Sequence, residues 1–173
     1  MAAQTILNTY PADAFSIVAG PGNFFSGGAV AFQAPRFCQL NYITLMLRDY
    51  DGTNHQDIEV QLLANYTVAT HSASSNWPGC LICDSFKIPG PNDGSIGEFV
   101  FELPAGVALK GGGIYWILVY GKLNHTCMQG GALLHWVEGK NGQKNPAFIG
   151  SLSFVDGNYL PSSVIPAFIL STT

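Results

Sequence analysis

Glu98-Phe99-Val100-Phe101-Glu102-Leu103, followed after Lys110-Gly111-Gly112-Gly113 by Ile114-Tyr115-Trp116-Ile117-Leu118-Val119-Tyr120, decides the fold class. The first six residues alternate, with Phe99 and Phe101 on one face and Glu98 and Glu102 on the other. A period of two belongs to an extended strand with one solvated side. Glu98 and Glu102 therefore read as the wet face of an amphipathic strand and not as a paired acid and base. The second run is apolar on both faces, the mark of a central strand. It is the most apolar run of the chain, yet far shorter than the roughly 18 residues a spanning helix requires.

The same punctuation holds outward from these two strands. Twenty glycines and ten prolines recur along nearly the whole chain and leave little room for an uninterrupted helix. The strands predicted are Ala29 to Gln33, Leu40 to Arg48, Ile58 to Asn65, Cys80 to Ile88 and Glu98 to Leu103, then Ile114 to Gly121, Ala132 to Glu138, Phe148 to Phe154 and Val164 to Leu170. In Leu40 to Arg48 the alternation puts Ile43, Leu45 and Leu47 on one face. That strand is expected to pair with Ile58 to Asn65 across the polar loop Asp49 to Asp57. Cys80 to Ile88 is expected to pair with Glu98 to Leu103 around Pro89-Gly90-Pro91-Asn92-Asp93-Gly94. The expectation is an all-β, antiparallel, jelly-roll-like β-sandwich of about nine strands with essentially no helix. It forms a single domain over residues 1–173, with residues 1–23 as an N-terminal arm or first strand.

Composition narrows the function classes. Of the 173 residues 47% are hydrophobic, enough for a real core, and only 10% are charged, against roughly 25% in ordinary soluble domains. A surface so short of charge is poorly protected against association. The net charge of −4, with seven basic residues scattered from Arg36 to Lys144, excludes a phosphate-tracking surface. Met1-Ala2-Ala3-Gln4 offers neither a positive region nor an apolar run, so the start reads as lacking a secretion signal. On that reading the sequons Asn65-Tyr66-Thr67 and Asn124-His125-Thr126 are chance.

The order of motifs resembles the jelly-roll β-sandwich modules of phage virion proteins and of bacterial choice-of-anchor surface domains. The matching features begin with Gly27, Gly28 and Phe32, then Ile43, Leu45 and Leu47, then Val60 and Leu62, then Trp77-Pro78-Gly79. Phe99 to Pro104, Val107-Ala108-Leu109 and Gly112-Gly113-Ile114-Tyr115-Trp116-Ile117 form the strongest block. Trp136, Asp156-Gly157-Asn158 and Pro166 to Leu170 close it, so that the similarity runs over residues 24–171. The resemblance implies a binding and assembly module and brings no catalytic residues.

Candidate sites are few. Exposed rings with a polar handle suit sugar stacking; Trp77 with Asn76 beside it in a loop is the leading choice, with Tyr159 and Tyr66 behind. Trp116 reads as core, and Trp136 fits core or ligand contact equally. Asp49, Asp51, Asn54 and Asp57 are spaced so that their oxygens can converge on calcium, the one cofactor the sequence raises; the competing reading is an ordinary solvated loop. Cys80-Leu81-Ile82-Cys83 with His125 and Cys127 has the count of a zinc site, but strand alternation sends Cys80 and Cys83 to opposite faces. These cysteines read instead as buried structural thiols, and the four, with Cys38, leave the redox compartment open. No Gly-x-Ser-x-Gly elbow is present, and His55, His71, His125 and His135 lack the close pairing a metal-dependent jelly-roll enzyme needs.

The function expected is non-enzymatic: a structural virion protein, such as a capsid-decoration, head-fibre or tail-associated module, assembled in the host cytoplasm. Its partners are other copies of itself, with a symmetric homotrimer preferred, and virion shell or tail proteins, without nucleic acid or membrane insertion. The alternative is a carbohydrate-binding or adhesion module of a secreted or cell-surface protein.

Overall fold

The structure, a computed structural model, describes residues 4–10, 12–17, 25–49, 57–69, 74–83, 86–89, 96–122, 134–139, 146–155, 158–162 and 165–172. Thirteen strands and no helix occur among the described residues. In chain order they open with β1 (Thr5–Asn8), β2 (Ala12–Ile17), β3 (Phe25–Gln33), β4 (Cys38–Asp49) and β5 (Asp57–Ala69). The middle holds β6 (Ser74–Leu81), β7 (Phe86–Pro89), β8 (Ile96–Leu109) and β9 (Ile114–Lys122). The chain closes with β10 (Leu134–Gly139), β11 (Phe148–Val155), β12 (Asn158–Ser162) and β13 (Phe168–Ser171).

Two antiparallel sheets result. In the six-stranded sheet β4 is central, with β8 along one side and β13 and β10 along the other; β1 covers β13 and β2 covers β10. The seven-stranded sheet runs β12-β11-β3-β9-β5-β6, with β7 also against β5. The chain changes sheet after β2, β3, β4, β7, β8, β9, β10 and β12. This repeated crossing gives the sandwich its jelly-roll-like character.

The core lies between the sheets, where the alternation sends it. Ile43, Leu45 and Leu47 of β4 and Phe101 of β8 meet Val30 and Phe32 of β3, Val60 and Leu62 of β5 and Ile117 and Val119 of β9. Trp136 also belongs to this core, which settles its burial: its Nε1–H donates to the Ala167 carbonyl at 2.9 Å and its ring meets Phe168 edge-on. Glu98 and Glu102 are exposed beside buried Phe101, as their alternation implies.

Where β1 gives way to β2, buried Thr9 closes the seam. Its hydroxyl donates to the Pro166 carbonyl at 2.7 Å and accepts the Phe168 N–H at 2.7 Å, so the buried hydroxyl of Thr9 is satisfied on both counts. The β8–β9 connection is a tight turn in which the Gly113 N–H donates to the Lys110 carbonyl at 2.9 Å. Gly112 sits there at φ 75°, a conformation that costs other residues dearly.

Pairing differs from the sequence expectation. β4 and β5 lie in different sheets, so the segment from Asp49 to Asp57 crosses the sandwich and joins no hairpin. Cys80 to Ile88 is not one strand: β6 ends at Leu81, β7 begins at Phe86, and both pair with β5 while β8 pairs with β4. The closing strand is shorter than expected, starting at Phe168. Residues 1–23 contribute two strands, and Asp156-Gly157 links β11 to β12 with Val155 opposite Asn158. Prolines mark several outer strands, with Pro78 in β6, Pro89 in β7, Pro104 in β8 and Pro161 in β12.

Candidate functional site

The outer face of the seven-stranded sheet carries a second apolar cluster. Alternation turns Ala29 and Ala31 of β3 outward, away from Val30 and Phe32. Being small, they leave a trough between Trp116 and Leu118 of β9 and Leu152 and Tyr159 of β11 and β12. Gly150, opposite Ala31, deepens it, since a Cβ there would meet nothing within 4 Å.

A cleft of about 280 Å³ opens on this face, small beside the usual ligand pockets of roughly 300–1,000 Å³. One wall is Ser75, Asn76 and Trp77 of β6, with Trp116 of β9. The other is Ile149 to Leu152 of β11 and Pro161 of β12. Strands from opposite ends of the sheet thus line one cavity. Hydrogen bonds hold the β6 wall in place. Trp116 Nε1–H donates to Asn65 Oδ1 at 2.9 Å, and Asn65 Nδ2 donates to Asn76 Oδ1 and to Thr67 Oγ1, each at 2.9 Å. Among the described residues no charged side chain lines the cleft.

Of the sugar-stacking candidates, Asn76 and Trp77 line the cleft and Tyr159 packs against the cluster beside it, where burial raises its hydroxyl pKa above 10.0. Asn76 and Trp77 are not in a loop but in β6, half-buried, with Trp77 opposite Tyr66. Trp116 is 2% exposed, as a core residue should be, but in the outer cluster and not between the sheets. Sequence reasoning did not single out Asn65, Ser75 or Gly150. The outward phase of Asn65 in its strand was a usable signal for the first; nothing local marks Gly150 as the floor of a cleft.

The proposed calcium ligands are not brought together by anything the structure describes. Asp49 ends β4 and Asp57 begins β5, in different sheets, while Asp51 and Asn54 lie outside the described residues. Among the described residues no three His, Cys, Asp or Glu side chains gather as a metal site would require. Cys80 is exposed, and Cys83, which follows the end of β6 and is not in a strand, packs partly against the core; His125 and Cys127 lie outside the described residues. The expectation that these cysteines are buried is thus wrong for Cys80, which sits near the end of an outer strand. Cys38 is half-buried, and burial raises its thiol pKa against a smaller lowering by Arg36.

No protein family, curated protein or solved structure matches the chain.

Proposed function

We propose that the chain is a non-enzymatic structural module of a virus particle, a capsid-decoration, head-fibre or tail-associated protein that acts by assembly with copies of itself and with shell or tail proteins. The observation that carries this reading is the exposure of large apolar side chains in a chain of low charge content. Phe37 is 74% exposed, Tyr66 62%, Val100 61% and Leu160 55%, in a chain with 10% charged residues. Large apolar side chains left in water in this way favour coverage by a partner. The resemblance to virion jelly rolls points the same way.

The test has two arms. Particles purified from infected cells should contain the chain in fixed proportion to the shell. The isolated protein should sediment at micromolar concentration as an oligomer, a homotrimer in the preferred form. A monomer that also binds no particle defeats the proposal. The neutral, tryptophan-lined cleft favours a second reading, a carbohydrate-binding or adhesion module of a secreted or cell-surface protein.

A further inference from the structure

We infer that the chain binds a second copy of itself head to tail, the end of the sandwich that carries Phe37 docking on the outer face of the β4–β8 pair of the next copy. The inference rests on the assembly reading above and gives that assembly its interface.

The two surfaces are opposite in charge and alike in build. Phe37, in the turn from β3 to β4, is 74% exposed, more than any other large apolar side chain among the described residues. Arg36 beside it is exposed too, its guanidinium donating to Gln4 Oε1. The β8–β9 turn is laid across this one. The Gly112 N–H donates to the Ala34 carbonyl at 2.8 Å, and the Ala34 N–H donates to the Gly113 carbonyl at 2.9 Å. So close is the fit that a Cβ on Gly111 would meet the Phe37 nitrogen at 2.9 Å. Exposed Lys110 is thereby set at the same end, and two cations accompany one protruding ring.

The receiving surface lies on the β4–β8 ladder. Val100 is 61% exposed opposite Thr44, with exposed Glu98 and Glu102 two residues to either side, opposite Met46 and Tyr42. Alternation turns these residues outward, since Ile43, Leu45 and Phe101 point into the core. At about 3.3 Å per residue, Glu98 and Glu102 stand about 13 Å apart, room for one ring between them with a cation on each side. Among the described residues none of Arg36, Lys110, Glu98 and Glu102 forms an ion pair.

Charge complementarity selects the partner. Within one chain the surfaces cannot meet, because Phe37 and Thr44 are held seven residues apart along an extended segment, roughly 23 Å. Either surface against its own copy would set like charges face to face. A foreign partner fits one surface and leaves the other bare, whereas a second copy covers both. Such a contact is heterologous, so it closes into a ring or runs on as a filament. A ring of three is the homotrimer preferred above.

Sedimentation equilibrium of the whole chain over a micromolar range, in about 0.1 M and about 1 M salt, tests the contact. The parent should associate more tightly in the lower salt. Phe37→Ala should weaken association roughly thirtyfold or more, as loss of a central aromatic anchor does. Reversing one surface, by Arg36→Glu with Lys110→Glu or by Glu98→Lys with Glu102→Lys, should weaken it roughly tenfold or more. All four reversals together should restore association, because complementarity returns with the signs exchanged. That restoration also shows that the half-reversed variants fail by charge and not by misfolding. An oligomer indifferent to Phe37→Ala and to both reversals overturns the inference while leaving the assembly reading intact. A fourfold variant that stays dissociated, with the circular dichroism of the folded parent, overturns it as well. So does a monomeric parent, and the particle arm then decides the assembly reading by itself.

Discussion

Replacing Trp116 by alanine tests the outer cluster at its centre. The side chain is 2% exposed, packs beside Ala29, Ala31, Leu63 and Leu118, and ties β9 to β5 through Asn65. Truncating a buried aromatic residue costs about 3–5 kcal/mol, and the bond to Asn65 accounts for about 1 kcal/mol within that range. The whole domain has only about 5–15 kcal/mol to lose. With a urea slope of about 2 kcal/mol per molar, the midpoint should fall by roughly 1.5–2.5 M. Trp116→Phe, which keeps a ring and loses the donor, should cost about 1–2 kcal/mol. Chemical unfolding followed by far-ultraviolet circular dichroism measures both. If Trp116→Ala unfolds at the parent midpoint, the outer face is not a packed layer and the cleft has no firm floor.

Two further outcomes follow from single groups. Gly112→Ala should lose about 1–2 kcal/mol because its φ of 75° is left-handed, whereas Gly150→Ala should be neutral or slightly stabilising; thermal unfolding of the pair separates strain from crowding. Burial, with a smaller contribution from the Glu98 charge, holds the Tyr10 hydroxyl pKa above its ordinary 10.0. A raised folded value means that the neutral form is favoured, so this contribution is complete below about pH 10 and is lost as pH climbs toward the folded value. Urea midpoints should therefore decline above about pH 10, and Tyr10→Phe should flatten that decline.

Much of the core was legible because burial here follows strict alternation. Ile43, Leu45 and Leu47, and then Phe99 and Phe101, take the sides their spacing dictates. The run Ile114 to Val119 was rightly read as apolar on both faces, since one face meets the other sheet and the second meets the outer cluster. Partner choice was not legible. Neighbours in sequence were expected to form hairpins, but whether Asp49 leads to a turn or to a crossing depends on packing of the whole sandwich, which no local stretch encodes. Ser75, Asn76, Pro78 and Gly79 have the composition of a loop, and they form an outer strand because proline is tolerated where one side of the backbone needs no ladder. Residues 1–23 were read as an arm or a single first strand, not as β1 and β2, and β12 escaped notice, because these strands are only four to six residues long and the last contains Pro161.

The prolines of β6, β7, β8 and β12 bear on how the protein survives crowding. A strand added to any of those rims would find a missing N–H in the row it must zip onto, and edge-to-edge polymerisation would stall there. Most soluble domains discourage such growth with lysine and glutamate, and this chain has few of either. Its safeguard is written into the covalent backbone and is indifferent to salt and pH. Along those rims, copies of the chain meet through side-chain faces that release again, without seeding the irreversible stacking of strands that ends in fibrils.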